Sequence, residues 1–452
     1  MSALKYILPL IENEEMRFKK YLNLLILLME RKERTEKVSG KPIDVTIDPS
    51  TICQLSCPYC GTGNGTIKRK KTFLSKDTNT KYIDEIGDGL FVSWYFSTGE
   101  PLLNKDLSEI ISANRKKNVF TVISTNLSVN LTDDKIDELL KSGIGLISAS
   151  IDGATAESYS KYRRKGNFSL VINNLKKLVQ RKKILGLEYP LIQWRFLIFK
   201  HNENEIDKVR ELARKIGVDI VEFFYGYAPQ DENEFGINPS KVRVDGPMIS
   251  GEAIEKSLLK QDTFLKKYIK EKEIIDYEPE IPDVKLRSQK CDWLYFGGMI
   301  FPDGRISPCC VSNDEPDDFG ELSDNNSILN VRNNSKFIRA RKMFKNNIVD
   351  KDLVCSRCLL PLSQDYQFRD TLKAVLLNAP EWVIKVISED SDLFFYDIDY
   401  NISPAQIGIF KSNHEDFKFN KNKFASVIDM LEDSKKYTND SKIDMIIKLL
   451  KK

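Results

Sequence analysis

Ile43-Asp-Val-Thr-Ile-Asp48-Pro-Ser-Thr-Ile-Cys53-Gln-Leu-Ser-Cys57-Pro-Tyr-Cys60 runs an alternating strand pattern into three thiols within eight residues. With eight cysteines in 452 residues, a C-x3-C-x2-C pattern would arise by chance in about three chains per thousand, so scattered buried thiols are disfavoured. Three cysteines this close can hold three irons of a four-iron cluster, or part of a zinc site whose fourth ligand would have to lie nearby.

Working outward, the chain continues as alternating strand and helix. Phe91–Phe96 is apolar and aromatic, and 119–123, Leu146–Ile151, Leu191–Phe199 and Val218–Phe224 also have strand character. Helical patterns fall at Lys105–Lys117, Asp133–Ser142, Phe168–Lys183 and Glu203–Ile216. Alternating βα units predict an α/β fold with a parallel sheet and right-handed crossovers. Six units over residues 43–225 are too few for a closed eight-stranded barrel and predict an open, partial (β/α)6 barrel. Ligands of parallel α/β sheets gather at the C-terminal ends of the strands, where the first strand delivers its cysteines.

Around this core the sequence divides further. Residues 1–42 read as an amphipathic packing or lid helix, with Ile11, Leu22, Leu25, Ile26 and Met29 set among charges. Residues 226–290 carry Pro229, Pro239, Pro247, Pro279 and Pro282 around one helical stretch at 252–275, and read as a bridge covering the substrate. Residues 291–360 hold the remaining cysteines and a hairpin within Gly297–Ser307, where Asp303-Gly304 signals a two-residue turn. Residues 361–452 form a polar helical tail without a chemical motif. Lys plus Arg (69) nearly balances Asp plus Glu (66), which gives no single-sign field for nucleic acid. No signal peptide is evident, and the best apolar run, Leu22–Met29, is too short to span a bilayer. The expected setting is cytoplasmic, where thiols stay reduced and serve metals or catalysis.

The cysteine motif, with Tyr59 before its last thiol, resembles the radical S-adenosylmethionine (radical SAM) superfamily, whose partial barrel matches the six βα units. The resemblance implies that Cys53, Cys57 and Cys60 bind three irons of a 4Fe–4S cluster, while SAM chelates the fourth. One electron from an external flavodoxin- or ferredoxin-type donor then yields a 5′-deoxyadenosyl radical that abstracts hydrogen. Ser97-Thr98-Gly99-Glu100-Pro101 is similar to the family's Gly-Gly-Glu-type motif for the methionine amino group, with Thr98 in place of the first glycine. Ser150-Ile151-Asp152-Gly153 with Arg163 resembles the segment that meets the cofactor carboxylate, for which an Arg fork is suited. Asn126 is a candidate for the ribose. No catalytic acid or base is assigned: of the two histidines, His201 reads as a surface turn residue.

The second cysteine group, Cys291, Cys309, Cys310, Cys355 and Cys358, resembles the SPASM/Twitch modules that follow many such barrels. It implies a second, auxiliary 4Fe–4S cluster on Cys291, Cys309, Cys355 and Cys358. Cys309 keeps the C-x17-C spacing seen in Twitch proteins, which implies Cys309 as the ligand and Cys310 as the spare; adjacent side chains of an extended segment point to opposite sides, so the two do not share one iron. A zinc ribbon from the same thiols is the alternative. The leading expectation is oxidation or epimerisation of a small polar substrate of the sugar or aminocyclitol type, because residues 1–42 look too short for the leader-recognition domain of a peptide maturase. A peptide maturase of the same superfamily is the second reading, and a non-catalytic metal-binding scaffold the third.

Overall fold

The computed structural model describes residues 8–9, 11–226, 235–242, 244, 248–249, 291–310, 314–358, 366–380, 382–383, 386–387, 425–435, 443–444 and 446–448. Six strands run parallel in chain order: β1 (Asp44–Ile47), β2 (Val92–Tyr95), β3 (Phe120–Thr125), β4 (Leu146–Ser150), β5 (Leu191–Ile198) and β6 (Ile220–Tyr225). Every residue of β1, β2 and β4 is buried, as a parallel sheet covered on both faces requires.

Helices α1 (Glu14–Lys32), α2 (Lys76–Ile86), α3 (Leu107–Arg115), α4 (Asp133–Lys141), α5 (Ala156–Tyr162), α6 (Phe168–Ile184) and α7 (Ile206–Ile216) complete the barrel half of the chain. Side chains of Ser75, Thr132, Thr155 and Asn167 cap α2, α4, α5 and α6 by accepting from backbone N–H groups of the first turn. Sequence patterning misses α2 and α5, whose few apolar residues give little periodicity.

α1 is a packing helix, not a lid. It is buried on all sides from Lys20 to Arg31, which an amphipathic surface helix would not be. Its charges are satisfied internally. The Lys20 ammonium donates to the carbonyls of Leu90 and Asn118, just ahead of β2 and β3, at the end of the barrel opposite the cysteine loop. Glu30 accepts from the N–H and hydroxyl of Ser39 at 2.6 and 2.7 Å. Arg31 pairs with Asp292 at 2.5 Å.

The cysteine-rich module extends the same sheet. β7 (Met248–Ile249) pairs antiparallel with β6, while β8 (Met299–Ile300), β9 (Arg305–Ser307) and β10 (Gly320–Glu321) continue beyond β1. β8 lies parallel to β1, and β9 and β10 follow antiparallel. The hairpin forms where expected, but its loop is Pro302-Asp303-Gly304, one residue longer than the Asp-Gly signal predicts. Pairing of Met299 with Ser307 fixes that length, and Gly304 takes the left-handed conformation (φ +87°) that a three-residue loop needs. The stretch at 252–275 lies outside the described residues. In the tail, Tyr366–Leu377 and Ala425–Ser434 are helical. No helix among the described residues is long and apolar enough to cross a membrane.

Candidate active site

The cysteine loop leaves the C-terminal end of β1 and is tied down on three sides. Glu100 N–H donates to Ile52 O at 2.8 Å, Ser56 N–H to Arg164 O at 3.0 Å, and Thr51 hydroxyl to Lys70 O at 2.7 Å. Gly99 makes the first contact possible: a Cβ there would fall 2.1 Å from the carbonyl oxygen of Ser50. Asp48, buried at the end of β1, accepts from both the N–H and the hydroxyl of Thr98. This explains the departure at Thr98, whose side chain locks the Thr98-Gly99-Glu100 turn to β1. Burial, offset by the Thr98 hydrogen bonds, raises the Asp48 pKa to about 6.

Cys57 is buried, and Cys53 and Cys60 are half-buried. Burial pushes the Cys53 thiol up to about 11, and the charges of Glu100, Cys57 and Cys60 add to the rise. Three thiolates so close ionise together only around cations, which iron supplies. The cysteine loop offers three thiolates and no histidine. A zinc ion would draw four such groups to about 2.3 Å of a single point, whereas a cluster takes one thiolate per iron. The donor set therefore fits a cluster better than zinc.

The other site candidates divide by where their side chains go. Asn126 lies beside the loop, its Nδ2 3.8 Å from Cys53 Sγ and its Oδ1 accepting from Gln54 at 2.9 Å. Ser150 meets Ser124 across the sheet at 3.2 Å. Arg163 caps α5 and donates through Nε to Asp152 at 2.5 Å, close enough to Cys57 to lower that thiol's pKa against the effect of burial. Tyr59 stacks edge-on against Phe235, 5.7 Å between centroids, and Arg164 covers the other part of that ring at 4.5 Å. Glu100 is different. Its carboxylate accepts from Thr125 hydroxyl (2.6 Å), Asn126 N–H (2.8 Å) and Leu102 N–H (3.0 Å), so it clamps the ends of β2 and β3 together. His201 sits in a turn, as expected, half-buried and stacked on Phe199 at 5.6 Å.

In the module, Cys355 is buried, Cys291, Cys309 and Cys358 are half-buried, and Cys310 is exposed. Burial, then the charges of Cys309 and Cys358, push the Cys355 thiol up, so those three thiols lie within electrostatic reach of one another. Cys291 precedes Asp292, which Arg31 holds. The two cysteine neighbourhoods are bolted together by Arg69, which donates to both oxygens of Asp318 at 2.9 and 2.6 Å and lies over the Phe301 ring. Arg69 follows the cysteine loop, and Asp318 accepts from Ser307, two residues before Cys309. Sequence reasoning missed this pair, as it did the roles of Asp48 and Asp152.

A partial barrel with three thiols at the end of its first strand, and a thiol-bearing module fused to that strand's edge, defines an enzyme built on iron–sulfur clusters. The Radical SAM superfamily model matches residues 47–213, and the SPASM model, an iron–sulfur cluster-binding domain, matches residues 291–359. These regions make up more than half of the 452 residues, and the chain belongs to the radical SAM superfamily, with a SPASM domain behind the barrel. Its cofactors are accordingly SAM, a 4Fe–4S cluster in the barrel and auxiliary iron–sulfur in the SPASM domain. PqqA peptide cyclase of Bradyrhizobium diazoefficiens is 25% identical over 320 residues, covering 68% of this chain and 77% of that protein. Among solved structures, SuiB of Streptococcus suis bound to S-adenosylmethionine matches with TM-score 0.46 at 14% identity, covering 68% of each chain. SuiB bound to its precursor peptide SuiA matches with TM-score 0.45 at 13% identity, covering 69% of this chain and 68% of that one.

Proposed function

We propose that this radical SAM enzyme modifies a peptide, acting as a maturase that removes hydrogen from a residue of its substrate. The relationship to PqqA peptide cyclase carries this reading, because its 320 aligned residues reach well beyond the barrel match at 47–213. It reverses the order expected from sequence. That order rested on residues 1–42 being short for leader recognition, and α1, a buried packing helix, says nothing about the substrate.

In this reading Cys53, Cys57 and Cys60 hold the barrel cluster, and Cys291, Cys309, Cys355 and Cys358 the auxiliary one. SAM held at the former, with one electron from a flavodoxin- or ferredoxin-type donor, would supply the radical chemistry for hydrogen abstraction. The chain's own part is positioning and exclusion of water. Asp152 fixes the angle of Arg163, whose remaining N–H groups serve the cofactor carboxylate together with Ser150. The turn at Thr98 and Gly99, locked by Asp48, offers backbone groups to the cofactor amine, and Asn126 offers its amide to the ribose. Tyr59 and Phe235 close the loop from the side.

Anaerobically reconstituted protein given dithionite, SAM and a panel of synthetic peptides is expected to form 5′-deoxyadenosine and a peptide product lacking two hydrogens by mass spectrometry. Turnover of sugars or aminocyclitols with no peptide product would return the reading to a small polar substrate. Colourless zinc-loaded protein that forms no 5′-deoxyadenosine would leave only the scaffold reading.

A further inference from the structure

The turn that follows Cys60 covers the thiols thinly. Gly61-Thr62-Gly63-Asn64-Gly65-Thr66 has three glycines in six residues. Gly63 lies directly on the cysteine loop, where a Cβ would fall 2.6 Å from both the N and the O of Cys57. The turn folds back on itself, Asn64 N–H donating to Cys60 O at 2.8 Å and Ile67 N–H to Gly61 O at 3.0 Å. Asn64, Gly65 and Thr66 are exposed, so on this side little but backbone lies between solvent and the Cys57–Cys60 segment.

The border of this turn is basic. No charged residue occurs from Pro49 to Ile67, and Lys68, Lys70 and Lys71 come next. All three are exposed, and none forms an ion pair among the described residues. The stretch that carries them is anchored. Arg69 is locked to Asp318, Thr51 hydroxyl donates to Lys70 O at 2.7 Å, and Thr51 N–H donates to Thr72 O at 3.1 Å. Phe73, bridged to Ser50, keeps 41% of its surface in solvent. Across the loop, Ser56 N–H donates to Arg164 O at 3.0 Å, which brings the exposed Lys165 to the opposite border. Acids bound the patch on the module side, Asp314 and Asp317 beside Glu315, whose carboxylate accepts from Lys70 N–H at 3.0 Å and takes no lysine ammonium.

Solvated lysines on a surface need no explanation singly. Three within four residues repel one another, and here they frame an exposed ring and a thin cover over the proposed cluster ligands. A protein that delivers electrons must bring its own redox centre close to the acceptor. Opposite charge steers such encounters, and an exposed aromatic anchors them. We propose that the 61–66 turn, with Lys68, Lys70, Lys71 and Phe73 on one border and Lys165 on the other, is the docking surface for an acidic one-electron carrier protein of flavodoxin or ferredoxin type. One electron leaves the carrier, which is oxidised, and enters the cluster, which is reduced; no bond forms or breaks. The proposal rests on the radical chemistry of the reading above and not on its peptide substrate.

The test mixes cluster-loaded protein with reduced flavodoxin in anaerobic stopped flow, following cluster reduction by absorbance, and measures binding of oxidised flavodoxin by calorimetry. The combined Lys68→Glu, Lys70→Glu, Lys71→Glu variant should lose about 10-fold or more in bimolecular rate at about 20 mM salt. That deficit should shrink at about 500 mM, where exposed charges are screened. Reduction by the methyl viologen radical cation, a small carrier of opposite charge, should not slow. Lys116→Glu, Lys135→Glu and Lys208→Glu combined, all exposed lysines of the outer helices, change net charge equally and should stay closer to wild type than to the first variant. Wild-type flavodoxin kinetics in the first variant overturn the proposal, as does an equal loss in the outer-helix variant or an equal slowing with methyl viologen. Lost binding of an acidic synthetic peptide with flavodoxin reduction intact assigns the patch to substrate and overturns it too. If the Glu variant loads less iron than wild type, the corresponding Gln variant takes its place and the same outcomes decide. Wild type that is reduced yet forms no 5′-deoxyadenosine from SAM sinks the radical reading itself, a failure separate from that of the docking surface.

Discussion

Replacing Gly99 with Ala tests how the cysteine loop is held. The added Cβ would lie 2.1 Å from the oxygen and 2.6 Å from the carbon of the Ser50 carbonyl, and 2.7 Å from Ile52 N. All three are backbone atoms, so no side chain can rotate aside. Relief requires the 50–52 segment to move by about 1 Å, and Cys53 moves with it. Overpacking of this kind costs about 1–3 kcal/mol, and losing the hydrogen bond from Glu100 N–H to Ile52 O adds about 1 kcal/mol. A destabilisation of about 2–4 kcal/mol is therefore expected, with reduced iron at the barrel site and loss of SAM cleavage. Gly186 serves as comparator: a Cβ added there would meet nothing within 4 Å and only a left-handed φ of +63° opposes Ala, so Gly186→Ala should lose about 1 kcal/mol and keep its iron. The measurements are denaturant unfolding, and iron and sulfide content after anaerobic reconstitution. A Gly99→Ala protein with wild-type iron and a stability loss no greater than that of Gly186→Ala would refute the close-approach argument.

Three further outcomes are expected. Asp48 has a folded pKa near 6, above the ordinary aspartate value of 3.8, so its contribution is present at low pH and lost as pH rises through 6; Asp48→Asn should gain up to about 3 kcal/mol on wild type between pH 4 and 7, and a pH-independent difference in urea unfolding would count against this. Asp152→Asn and Arg163→Gln should each destabilise by about 3 kcal/mol and the double variant by less than their sum, because either single change strands a charge; strict additivity in a thermodynamic cycle would mean the pair is not coupled. Arg69→Met leaves Asp318 unpaired at 3% side-chain exposure. It should therefore lose about 3–5 kcal/mol and expose the 305–321 region to limited proteolysis, while Arg69→Met with Asp318→Leu recovers most of the loss.

What could be read in the sequence was local. The six barrel strands show as apolar and aromatic runs, and the proposed iron ligands as short cysteine spacings. What escaped depends on residues far apart in the chain, such as Asp48 with Thr98 or Arg69 with Asp318, where no periodicity links the partners. α1 is the packing helix expected, but the amphipathic reading did not show that Lys20, Asn23, Glu30 and Arg31 are enclosed with its apolar residues. All four are buried, their polar atoms reaching backbone carbonyls, loop N–H groups or Asp292. Glu100 was placed beside the cofactor by its motif, but its carboxylate turns to Thr125, Asn126 and Leu102.

The pairing of β8 with β1 bears on electron flow. Thr46 is registered to Met299 and Ile47 to Ile300, so the strand that launches Cys53 is hydrogen-bonded directly to the hairpin that leads into Cys309. No linker separates β1 from β8 across the sheet. Strand pairing within one sheet, rather than a flexible connection, therefore sets the separation of the Cys53 loop from Cys309, and clusters held there would keep a fixed spacing along that edge.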